Sequence, residues 1–140
     1  MPKSRYSALV KLKKRALDSA EQALVAANNR CSSISSKLHN LYEELYAMTL
    51  PTSGTAGELL YTNSLIRAQK QNIAHHQQLL EDAKIAQEKE RELFTKARVE
   101  HEKFNYLELQ EIEQWIKEQK IAESKMLDEV GILIHKKGEK

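Results

Sequence analysis

The sequence predicts an all-α fold: two long helices in an antiparallel coiled-coil hairpin, with the second helix overhanging the first. Three observations carry this expectation. Charged residues make up 30% of the chain and aromatics only 6%, against a background rich in Ala, Leu, Glu, Lys and Gln, the profile of long helices. Helix breakers are confined, with Pro51, Gly54 and Gly57 in one stretch, TLPTSGTAG at Thr49–Gly57, and the others towards the ends at Pro2, Gly131 and Gly138. An apolar repeat of seven residues also runs through the whole first segment. At 140 residues the chain has the length of a single domain.

Helix 1 is expected from about Ser4 to about Met48. Its a positions are Val10, Leu17, Leu24, Cys31, Leu38 and Leu45, and its d positions are Lys13, Ala20, Ala27, Ile34, Leu41 and Met48. All but Lys13 are apolar, and a seven-residue spacing held this long keeps one stripe against a partner helix. The small Ala20, Ala27 and Cys31 allow that partner to come close. Pro51 then stops the helix, because it lacks an N–H and restricts the residue before it. Thr55 with Glu58 three residues on is a capping box that opens the next helix. The loop is therefore 49–57, and so short a connection joins antiparallel neighbours.

Helix 2 is expected from about Ala56 to about Val130, with 131–140 frayed. Its seam is weaker. Leu59, Ile66, Ile73, Leu80 and Phe94 are interrupted by Gln87, while Thr62, Gln69, His76, Ala83, Glu90, Ala97 and Phe104 fill the d positions. After Phe104 the apolar residues change phase to Leu107, Ile112, Trp115, Ile116, Ala122, Met126, Leu127 and Val130. Folding back at the loop pairs positions whose numbers add to roughly 107, so helix 1 ends opposite about residue 103. Helix 2 then overhangs by about 30 residues, near 40 Å. Charge favours the same arrangement. Residues 1–40 hold eight Lys/Arg and two acids, whereas residues 81–129 hold fourteen acids and nine Lys/Arg. Only an antiparallel hairpin sets these blocks side by side, and such pairs select orientation more than they stabilise.

Several function classes fall away. A formal charge of +2 gives no overall case for nucleic acid, and no aromatics interleave with the basic residues as a base-stacking platform requires. No apolar run approaches the length that spans a bilayer. The first residues, MPKSRYSALVKLKKR, lack the apolar run of a secretory signal. One cysteine, Cys31, leaves no internal disulfide framework and fits a reducing cytoplasm. Of the histidines at 39, 75, 76, 101 and 135, no two stand four apart on a helix, so no helical metal pair forms. With no phosphate loop, no nucleophile motif and no pocket to desolvate an acid–base pair, neither a catalytic residue nor a cofactor is expected.

Two features read as interaction surfaces. The basic run Lys3, Arg5, Lys11, Lys13, Lys14 and Arg15 pairs with acids of helix 2 or docks onto an acidic protein, with a nucleic-acid-binding arm as a distant third reading. The overhang places Trp115 with Ile112, Ile116 and Met126 in an apolar stripe beyond helix 1. An unpaired stripe of that kind marks an interface, and Trp is a frequent anchor there; a heterologous partner is the preferred occupant, with self-association or folding back of a frayed end as the alternatives. The expected contact set is Lys11, Lys14, Arg15, Ile112, Trp115, Ile116 and Met126.

In layout the chain resembles the flagellar export protein FliJ family. The resemblance rests on the Lys-rich start at Leu9–Arg15, Cys31 in the first helix, the Ser/Gly/Thr loop, IAHHQQLL at Ile73–Leu80, and a charged tail helix with Trp115 and a basic end. It implies a non-enzymatic antiparallel coiled coil of the flagellar type III export apparatus, similar to the central stalk of rotary ATPases. The implied partners are the hexameric export ATPase, entered by the terminal end of the hairpin, the membrane export-gate protein, and export chaperones. By the same resemblance the gate contact falls on Leu65, Gln69, Asn72 and His76, of which Leu65 and His76 keep the hydrophobic and histidine types. The implied location is cytoplasmic, held at the inner membrane through partners. A plain adaptor coiled coil and a secretion chaperone are the competing readings.

Overall fold

The computed structural model describes residues 4–48 and 54–138. Two helices, α1 (Ser7–Ala47) and α2 (Ala56–Gly138), pack against each other as an all-α hairpin. Of the expected loop, Thr49–Ser53, with Pro51, lie outside the described residues. The chain divides into two compact units, Asp18–Lys96 and Met1–Leu17 with Ala97–Lys140.

Both helix starts are held by a side chain that caps the backbone. The Ser4 hydroxyl accepts the Tyr6 N–H at 3.1 Å, and the Ser7 N–H donates to the Ser4 carbonyl at 3.1 Å. Helix 1 therefore begins at Ser7, just after the residue expected to open it. The Thr55 hydroxyl accepts the Glu58 N–H at 3.1 Å, as the capping box requires. Gly54 precedes it with φ at +146°, and a Cβ there would collide with the Glu58 carboxylate, so only glycine suits the position. At its far end α2 runs past the expected stop near Val130 to Gly138. A lone glycine at 131 costs only about 1 kcal/mol in a helix. Ile132, Leu133 and Ile134 then carry the helix on. His135, Lys136 and Lys137 close it, where cations suit the negative end of the helix dipole.

In the unit Asp18–Lys96, Leu38, Leu41 and Ile73 form a buried cluster flanked by Ile34, Tyr42, Leu45 and Leu80. Cys31 and Ala83 are buried beyond it. Polar clasps run along the same seam. Gln69 donates to the Leu41 carbonyl at 2.9 Å and to the Glu44 carboxylate at 3.1 Å. Gln77 donates to the Tyr42 hydroxyl, and Gln87 to Asn28 at 2.7 Å. In the other unit Leu17 is buried, the rings of Tyr6 and Phe104 lie 6.5 Å apart, and Ser4 donates to Glu111 at 3.0 Å. Lys13, the polar exception in the first seam, lies 3.6 Å from Glu100 and 5.5 Å from the Phe104 ring centroid.

These contacts revise the pairing. Ser4 with Glu111, Lys13 with Glu100 and Asn28 with Gln87 give numbers that add to about 115, not 107. Helix 1 therefore reaches beyond residue 103 of its partner. The change of phase after Phe104 is also not a change of packing. The half-buried positions continue on the heptad through Ala97, His101, Phe104, Glu108, Glu111 and Trp115. Polar residues occupy several of them, which is why apolarity alone misses the register. Leu59, expected in the seam, is 42% exposed, because α1 ends at Ala47 before reaching its level.

Candidate partner-binding surfaces

Trp115 lies beside α1 rather than beyond it. It lines a groove with Leu107 and Glu111 on α2, and with Arg5 and Tyr6 at the start of α1. Arg5 stands 3.6 Å from the Glu111 carboxylate and 5.2 Å from the Tyr6 ring centroid. Ser4 bonds the same carboxylate. The groove thus combines the aromatic Tyr6 and Trp115 with Glu113, Glu118 and Lys117. Arg5 is largely exposed, so this ion pair fixes geometry more than it stabilises. The part played by Tyr6 is invisible from charge runs and apolar spacing. Only the corrected pairing brings it to Trp115.

Of the expected contact set, Trp115 is half-buried at this groove, Ile112 is half-buried outside it, and Ile116 and Met126 are 40% and 66% exposed. Lys11, Lys14 and Arg15 are exposed on α1 within the same unit, but they do not line the groove. From Ile116 to Gly138 every described residue is exposed, including Met126, Leu127, Val130, Ile132, Leu133 and Ile134. Beyond Lys117 and Glu118, which still line the groove beside Arg5 and Tyr6, this stretch is the overhang. Its apolar residues at 116, 126, 130 and 133 continue from Ile112. The positions that face α1 are 111 and 115. The exposed stripe is therefore turned one residue, about 100°, from the face that α1 covers.

The second surface lies in the other unit. Leu65, Gln69, Asn72 and His76 share one side of α2, but they differ in availability. Leu65 and Asn72 are exposed, whereas Gln69 is half-buried and bonded to α1. The half-buried His76 ring donates from Nδ1 to the Asn72 carbonyl at 2.9 Å. Around Leu65 the exposed apolar surface extends to Leu59, Leu60 and Tyr61, residues that the sequence pattern had placed in the seam or left unremarked. Among the described residues no helix is long and apolar enough to cross a membrane, and no group of three His, Cys, Asp or Glu side chains is placed to hold a metal.

A family model described as Flagellar FliJ protein matches residues 2–140. No curated protein and no solved structure matches the chain.

Proposed function

This chain belongs to the flagellar FliJ protein family, a component of flagellar export, and from that premise we propose that it binds the hexameric export ATPase as a stalk-like hairpin. In this reading the chain does no chemistry of its own. A stiff, asymmetric element inside a six-fold ring contacts each subunit differently, and so favours a different state in each. That bias promotes ring assembly and turnover. The observation that carries the reading is the end of the hairpin containing Trp115, where an aromatic groove adjoins an exposed apolar and charged helix. Lys11, Lys14 and Arg15 supply positive charge nearby for acidic groups of the ring.

The same proposal links the ATPase to the membrane export gate through Leu65 and Asn72, with Leu59, Leu60 and Tyr61 enlarging that surface. Gln69 supports the contact from behind by fixing α2 to Leu41 and Glu44. Export chaperones are further candidate partners at the exposed apolar surfaces. Titrating the purified protein into the cognate ATPase is the test: turnover and the hexameric fraction should both rise. Trp115→Ala should weaken the effect roughly tenfold, the loss of one interface anchor. An ATPase whose rate and assembly are indifferent to the protein defeats the proposal.

A further inference from the structure

We propose that two copies of this chain pair through their overhanging helices, antiparallel, with the basic end of each set beside the acidic segment 111–118 of the other. The apolar stripe that starts at the half-buried Ile112 runs on through Ile116, Met126, Val130 and Leu133, turned away from the face that α1 occupies, and these four are exposed. Its positions alternate in steps of four and three, through Gln119 and Glu123, up to Lys137. That spacing is a coiled-coil seam.

Any seam spaced in fours and threes can be reversed upon itself, and here the reversal leaves one fully apolar pair on each side of the axis. Reflection sets Ile112 against Lys137, Ile116 against Leu133, Gln119 against Val130, and Glu123 against Met126. A two-fold pairing sets each patch against its own copy, so Ile116 and Leu133 form its apolar contacts and the charges at the two ends carry its direction. Charge chooses the antiparallel direction. Residues 111–118 carry three glutamates and one lysine, while residues 131–138 carry His135, Lys136 and Lys137 and no acid. Antiparallel pairing joins these unlike segments; parallel pairing stacks like on like. The reach also fits, since the paired stretch ends at Ile112, one residue beyond the Glu111 that Ser4 and Arg5 engage. Gln119 and Glu123 inside the seam fix the register and weaken the association, so the dimer is reversible. None of this depends on the export reading, because only copies of this chain take part.

The test combines mass with distance. Sedimentation of the full chain should show a monomer–dimer equilibrium that Leu133→Glu shifts at least tenfold towards monomer. Circular dichroism should be unchanged, because Leu133 is 62% exposed. On a Cys31→Ser background, a single spin label at Ser124, beside the two-fold axis, should report a neighbour within about 20 Å. A label at Gln114 should report one beyond roughly 30 Å, given the 1.5 Å rise per residue. A chain that stays monomeric at every concentration overturns the proposal, as does a short distance at both labels, which marks a parallel dimer. A dimer unaffected by Leu133→Glu places the interface elsewhere and overturns it too.

Discussion

Gln69 shows how one polar side chain can hold two helices together. Its amide reaches across to the Leu41 carbonyl, which already serves the helix, and to Glu44 on the next turn. Gln69→Ala removes both bonds from a half-buried site, so we expect a loss of about 1 kcal/mol, read from the urea midpoint. An unchanged midpoint would show that water replaces the amide without penalty. Leu41, only 2% exposed, lies at the centre of the same cluster. Leu41→Ala should cost about 2–4 kcal/mol by the loss of transfer energy and the cavity left behind. Against the few kcal/mol available to a two-helix structure, that loss should leave much of the chain unfolded at ambient temperature.

Among the elements, the start of α2 depends on Thr55. Thr55→Ala should lower stability by about 1 kcal/mol through the lost cap, and the fraying should show as faster amide exchange at Glu58 and Leu59. In the terminal unit, Lys13 and Glu100 form a partly exposed cross-helix pair. Lys13→Glu should therefore cost about 1 kcal/mol or less, and adding Glu100→Lys should recover most of it in a double-mutant cycle. If the reversal recovers nothing, the two helices are not in this register. The elements themselves were largely legible in the residues. Every expected seam position of α1, from Val10 to Met48, is buried or half-buried, because eleven apolar side chains in one repeat leave no competing stripe. The second helix was less legible for a physical reason. His101, Glu108 and Glu111 occupy packed positions there, and a reading that follows apolarity leaves the true register for Leu107 and Ile112. The pairing level was missed for a related reason: it depends on Ser4, Asn28 and Gln87, whose hydrogen bonds leave no hydrophobic trace.

At the scale of the whole molecule, stability should be graded along the sequence. Residues near Leu38, Leu41 and Ile73 are packed between both helices, whereas every residue of Ile116–Gly138 is exposed. Native-state hydrogen exchange should therefore show strong protection at the first group and little at the second. Uniform protection through Gly138 at low concentration would contradict the fold. The membership of the chain in its family was legible from layout, although no catalytic signature was available to carry it. The groove at Trp115 was not, because its composition depends on which residue of α1 lies opposite. Gly131 adds a mechanical consequence. It stands inside a solvated helix with open space around its Cα, so the last two turns beyond it are the easiest part of α2 to unwind. A partner that grips Ile132–Lys137 must also meet the cost of rewinding that segment. Gly131→Ala should thus tighten any such grip without touching it, by having the end already wound on arrival.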